Sequence, residues 1–393
     1  MPLAQRSLRM PFLKPVAFVE SGLQFQLYFT GQAYFEAVLA AIEGAQKELW
    51  IESYIFDYDH IGQKVLLALH AAALRGVSIR LLVDGVGSMA SIPQIADFCA
   101  LCGIPFEVYH AMPFHKRISH NSILMTQETI RSRLALLGEI NKRNHRKIIL
   151  VDGAVAFLGS LNISDVHLGS LQTPAWRDTG LRVEGDEVAL IRREMEQTWL
   201  RVIRFWTRVK RESRLPTWLR LNSRLRWRRT MKRDLLAYIA NAKRRIYITT
   251  PYFVPSIRFL KFLDRAAQRG VDVHLLLPEQ IDVPIIKYVS RAFYRDLLNR
   301  GIKIWEYQPA VLHAKTIVID DYALVGSQNI NHRSFLHDLE IEIATAQPRI
   351  VNELLTQWSI DLKNSHYADL TVSRLGILDR VLAWIFILFK YWL

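Results

Sequence analysis

One motif occurs twice in this chain, and that repetition constrains its fold more than any other feature. Residues 144–162 read NHRKIILVDGAVAFLGSLN, and residues 312–329 read LHAKTIVIDDYALVGSQN. Each copy gives H-x-K-x-x-x-x-D, then five or six residues, then G-S-x-N. The likeness continues upstream. Residues 47–56 (KELWIESYIF) parallel residues 244–253 (RRIYITTPYF), each a β-branched and aromatic run that reads as a buried strand. Helical patterns over residues 64–75 and 259–269 stop at Gly76 and Gly270, and each leads into a further apolar strand.

Two halves that alternate helices with short apolar strands predict an α/β fold: two similar α/β sandwich lobes related by a pseudo-two-fold axis and derived from an internal duplication. The expected boundaries are 20–200 and 233–365 for the lobes, with 201–232 between them and 366–393 beyond. At 393 residues, half of them apolar, the chain can bury a sizeable core.

The repeated residues point to phosphoryl chemistry. In extended backbone the His and Lys, two apart, face the same way, so a nucleophile stands beside a cation. Neutral imidazole attacks phosphorus, and the ammonium draws the non-bridging oxygens. Displacing an alcohol from a phosphodiester also needs a proton donor on the opposite side, and two opposed histidines supply both roles. The expected site therefore sets phosphorus between His145 and His313, with Lys147 and Lys315 gripping its oxygens. Asn162, Asn329, Ser160 and Ser327, from the G-S-x-N ends, are the expected phosphate-binding groups. No metal or other cofactor is implied. The other histidines lack a duplicate; His110, His115 and His120 stand before the first motif, where they could line an entrance.

Two complete motifs in order, each with its G-S-x-N extension, resemble the phospholipase D superfamily. That resemblance implies that His145 forms a phosphoenzyme and that His313 serves as general acid and then base. It implies that Asp152 and Asp320 brace the motifs, and that a carboxylate downstream of each motif orients a histidine. Asp178 and Glu340 fit that place, with Asp338 and Glu342 as rivals for the second. Within the superfamily, Glu52-x-Tyr54, residues 81–88 (LLVDGVGS), residues 176–180 (WRDTG) and residues 250–253 (TPYF) are similar to bacterial cardiolipin synthases of the short form, without paired N-terminal spanning helices. The resemblance implies a phosphatidyltransferase acting on phosphatidylglycerol, with hydrolytic phospholipase D and nuclease as alternatives.

Charge bears on the partner. The formal net charge is +14, and residues 201–233 hold thirteen Arg or Lys against the single Glu212. Arg alternating with Trp206, Trp218 and Trp227 at near-helical intervals predicts a helix lying on an anionic membrane surface, contacted by Arg224, Arg226, Trp227, Arg228 and Arg229. Nucleic acid is the less favoured partner, because residues 381–389 form an apolar run trimmed by Trp384, Lys390 and Trp392. That run is too short to span a bilayer and reads as an interfacial anchor, which places the protein at the cell's inner membrane as a peripheral or monotopic protein. Residues 123–140 form an amphipathic stretch that would suit an acyl path or ordinary core. Cys99 and Cys102 lack the second pair of a zinc site and read as packing.

Overall fold

The computed structural model of the chain describes residues 22–111, 142–203 and 215–369. Among these, the N-terminal lobe contributes β1 (Gln24–Tyr28), β2 (Glu48–Ser53), β3 (Ser78–Asp84), β4 (Phe106–Tyr109), β5 (Ile148–Val151), β6 (Val155–Gly159) and β7 (Gly180–Glu184). The C-terminal lobe contributes β8 (Leu219–Leu221), β9 (Arg245–Thr249), β10 (Asp272–Pro278), β11 (Lys303–Tyr307), β12 (Thr316–Ile319), β13 (Tyr322–Gly326), β14 (Ile341–Thr345) and β15 (Ser365–Tyr367).

The sheets have matching orders. The first runs β1-β7-β6-β5-β2-β3-β4 and the second β8-β14-β13-β12-β9-β10-β11, with β15 added at its edge. In both, three parallel strands (β2-β3-β4 and β9-β10-β11) adjoin the antiparallel strands that carry the motif. The duplication is thus a duplication of topology.

Apolar alternation explains the layering. Helices Gly31–Gly44, His60–Leu74 and Ile92–Cys102 pack Val38, Ile42, Leu66 and Cys99 against one face of the first sheet. Helices Leu225–Asn241 and Ile257–Gln268 do the same for the second with Leu235, Ile239, Phe262 and Leu263. The inner faces share one core, in which Leu158, Leu181 and Val183 pool with Val325, Ile341 and Ile343.

The described residues 215–233 of the segment read as a membrane surface fold otherwise. Residues 219–221 are edge strand β8, paired with β14, and Arg220 is buried against Glu342 at 3.1 Å. Trp218 and Trp227 are 1% and 6% exposed, in the shared core, so neither meets a bilayer. Arg224 stacks on the Trp227 ring at 4.4 Å and donates to Gln197. Arg228 donates to the backbone carbonyls of Asn222, His337 and Asp338, cross-linking the loop before β14. Of the five residues expected on that surface, Arg226 and Arg229 are exposed. The correction has a simple cause: an apolar stripe flanked by Arg looks the same whether lipid or a second lobe covers it. Trp384, residues 123–140, His115 and His120 lie outside the described residues.

Candidate active site

The motif histidines stand just before β5 and β12, whose first residues are Ile148 and Thr316. The sequence pattern placed them within those strands, yet their backbone pairs across the lobes. His145 N–H donates to Leu339 O at 3.0 Å, and His313 N–H donates to Arg177 O at 2.8 Å. Leu339 and Arg177 immediately precede Glu340 and Asp178, so each bridge delivers a carboxylate from one lobe to the histidine of the other.

His145 Nδ1 lies 3.1 Å from both oxygens of Glu340, and His313 Nδ1 lies 2.9 Å from Asp178 Oδ1. A carboxylate on Nδ1 fixes the proton there and leaves Nε2 with its lone pair. The rival acids are engaged elsewhere. Asp338 pairs with Arg333 at 2.9 Å, and Glu342 pairs with Arg220.

Lys147 and Lys315 are buried, each Nζ donating to its own motif's histidine carbonyl, at 2.8 and 2.6 Å. Burial, then the neighbouring Lys315, pushes Lys147 down to about 7, and burial pushes Lys315 down to about 8. His145 is held well below its usual range by burial and then by Lys147 and Lys315. His313 is pushed down to about 4 by burial and then by Lys315. Both imidazoles are therefore neutral near pH 7, the form that attacks phosphorus.

The carboxylates are unequal. Burial lifts Glu340 to about 7 against the pull of Lys147. Burial also opposes ionisation of Asp178, but His313 and His167 overcome it and hold its carboxyl well below the usual range.

The glycines of G-S-x-N are required by close approach. A Cβ on Gly159 would lie 2.4 Å from Thr179 O, and one on Gly326 would lie 2.2 Å from Ile341 O. Their absence lets β6 and β13 close on the strands that follow the two acids. The adjacent serine hydroxyls, expected to bind phosphate, are engaged within the protein. Ser160 Oγ is pinned by Thr179 N–H (2.9 Å) and O (3.1 Å), and Ser327 Oγ donates to Glu340 and accepts Ile341 N–H. Asn162 Oδ1 accepts Ile55 N–H at 3.3 Å, while Asn329 Oδ1 is buried with no partner.

Asp152 and Asp320 sit at the far ends of the motif strands, at φ +53° and +52°. Each gathers three backbone N–H groups, of Gln46, Lys47 and Glu48 and of Lys243, Arg244 and Arg245. They tie β5 to β2 and β12 to β9.

Further groups at the site have no signal in the motif itself. The Tyr54 ring meets His145 at 4.8 Å, and Lys147 Nζ lies 5.1 Å from its centre. Trp176 packs on His313 at 5.5 Å, and His167 approaches Asp178. Beneath the first motif, buried Arg146 lies 3.5 Å from Glu52 and 3.6 Å from Glu194. Aligning the two copies residue by residue would have exposed His167, which stands where the second copy has Ser334, five residues past the motif Asn.

A family profile described as "Cardiolipin synthase, PLD-like domain" matches residues 38–199 and 235–360. The chain belongs to this family of the phospholipase D superfamily. A cardiolipin synthase of Geobacillus thermodenitrificans is 33% identical over 353 residues, covering 86% of this chain and 66% of that protein. Cardiolipin synthase B of Shigella flexneri is 32% identical over 336 residues, covering 82% and 76%. Family membership agrees with the two-lobed fold, as does a phosphatidylserine synthase of Haemophilus influenzae. That crystal structure, 12% identical, superposes with a TM-score of 0.68 over 94% of this chain and 95% of its own.

Proposed function

We propose that this chain is a phosphatidyltransferase that moves a phosphatidyl group from one phosphatidylglycerol to the hydroxyl of a second, forming cardiolipin and releasing glycerol. The observation that carries this reading is the cross-lobe pinning of both Nδ1 atoms, which leaves two Nε2 atoms and two buried lysines for one phosphodiester. Family relatives named cardiolipin synthase supply the substrate class.

In the first step the His145 Nε2 lone pair forms a bond to phosphorus. The bond to the glycerol oxygen breaks, and that oxygen takes a proton from His313. An incoming phosphodiester anion raises the proton affinity of the groups beside it, so His313 acquires the proton it delivers as substrate binds. In the second step neutral His313 removes the acceptor hydroxyl's proton, the new oxygen attacks, and the electron pair returns to His145. Lys147 and Lys315 neutralise the oxygens in both steps.

Among the described residues no helix is long and apolar enough to cross a membrane. We place the chain at the inner membrane as a peripheral or monotopic protein, with residues 366–393 and the exposed Arg226 and Arg229 as its contacts.

Incubating the purified chain with vesicles of phosphatidylglycerol labelled in the headgroup, with excess chelator, tests the reading. Cardiolipin and free labelled glycerol should appear in equal amounts. Phosphatidic acid as the main product would make the enzyme a hydrolase, cleavage of DNA without lipid turnover would make it a nuclease, and dependence on a divalent ion would add a cofactor to the site.

Lysine titration should shape the pH profile. The cationic form exists below the pKa, so kcat/KM should fall as pH rises through about 7 to 8, where Lys147 and Lys315 lose their charge in the free enzyme. Lys147→Arg, if it turns over, should carry that limb to higher pH, because guanidinium stays charged. A limb that ignores the substitution would show that another group titrates.

A further inference from the structure

We propose that His167 is a positioning residue, a neutral Nδ1–H donor that occupies one oxygen of Asp178 so that the other orients His313. The inference rests on the two-histidine reading above and deepens it by making the two halves chemically unequal.

Geometry fixes the state of His167. Its side chain is fully buried, and its Nε2 accepts the Asn162 backbone N–H at 3.0 Å. A ring nitrogen that accepts cannot carry a proton, so the proton of this imidazole is on Nδ1. Nδ1 lies 2.8 Å from Asp178 Oδ2, short but bent from the ring N–H direction, so the contact is electrostatic as much as a hydrogen bond. Asp178 Oδ1 serves His313 at 2.9 Å. One carboxylate thus stands between two imidazoles, and Trp176 packs on both rings, at 5.8 and 5.5 Å.

The other half is built differently at the same position. Asn329 N–H goes to Ser334 Oγ at 3.3 Å, and Glu340 is met by the hydroxyls of Ser327 and Ser334 rather than by a second ring. The Asn-capping task is therefore common to both copies, and a histidine is not needed for it. What His167 adds is a ring nitrogen 2.8 Å from Asp178 Oδ2.

The charged and titratable groups around this trio are Lys315, Asp282 and His145 toward His313, Lys147 and Tyr252 toward Asp178, and Asp57 toward His167. With two cations and two imidazoles near it, Asp178 stays ionised and keeps a proton on His313 Nδ1. That suits a group that must take up and release protons at Nε2. His145, facing an acid that burial brings near neutrality, is the less basic partner. A phosphorus–nitrogen bond formed there breaks more readily in the second step.

Two variants separate positioning from mere packing. His167→Phe keeps a buried ring and removes the donor, whereas His167→Asn keeps an N–H near the Nδ1 position. With the Oδ2 partner gone, the charge of Asp178 falls on His313 and raises its proton affinity, so the acid limb of kcat, set by the second step in which neutral His313 is the base, should move to higher pH in His167→Phe. Its kcat should fall about tenfold with KM unchanged, the scale of losing a group that orients a reacting one. His167→Asn should keep the limb close to wild type.

In 15N-histidine spectra of the wild-type protein, the resonance lost in His167→Asn should belong to a neutral ring protonated at Nδ1. A wild-type acid limb in folded His167→Phe, or an Nε2–H tautomer at His167, would overturn the proposal. Turnover surviving in His145→Ala or His313→Ala would instead bring down the two-histidine reading, so the two failures are distinguishable.

Discussion

Replacing either His145 or His313 with alanine should reduce cardiolipin formation by at least about 10⁴-fold, and replacing both should cost little more than replacing one. Groups that act as a unit are far from additive, because a nucleophile without a leaving-group acid, or the reverse, achieves almost nothing. The measurement is initial velocity on labelled phosphatidylglycerol vesicles for the three variants. Thermal unfolding is followed in parallel, since each deletion leaves a buried carboxylate without its ring. A double variant slower than the wild type by the product of the two separate losses would show that the histidines work independently, against the shared-phosphorus site.

Asp178→Asn should be the next most damaging change, on the order of 10⁴-fold in kcat, as when an orienting aspartate is replaced by its amide elsewhere. The carboxylate accepts from His313 and lies 2.8 Å from the His167 ring, and an amide oriented for one turns its NH₂ toward the other. If it faces His313, that ring must accept at Nδ1 and carry its proton on Nε2, where the lone pair is needed. Glu340→Gln should cost distinctly less. Burial already brings Glu340 to about 7, so a neutral group there departs less from the native state, and the Ser327 hydroxyl still supports it. Steady-state kcat of the two variants side by side is the test. Equal losses would mean that the two acids do equivalent work.

Much of this arrangement was legible before any coordinates. The duplicated His-Lys motif specified two lobes of like topology, because its apolar residues form a strand in each lobe and its histidine and lysine lead directly into that strand. Asp178 and Glu340 could be picked out through the family resemblance, with Asp338 and Glu342 as rivals for the second, but not which histidine each would serve. That depends on the bridges from residue 144 to 339 and from 177 to 312, which join residues nearly 200 positions apart in one case. The serines of G-S-x-N looked like phosphate ligands because hydroxyls beside a turn often are. Here the glycine before each lets the strands approach so closely that the hydroxyl is consumed in holding the acid-bearing segment.

The basic segment misled for a physical reason. Arg220, Arg224 and Arg228 each find a carboxylate, an amide or a row of carbonyls inside the protein. Net charge counts such residues as surface, whereas burial with a partner removes them from it. No local pattern distinguishes the two fates, since the partners Glu342, Gln197 and Asp338 lie far away in sequence.

The exchange of carboxylates between the lobes makes the site an interlock. Glu340 reaches His145, and Asp178 reaches His313, only while the two inner faces are in register, and both contacts run through backbone bridges that cross the same seam. A displacement of the lobes by the length of one hydrogen bond would part both carboxylates from their histidines together.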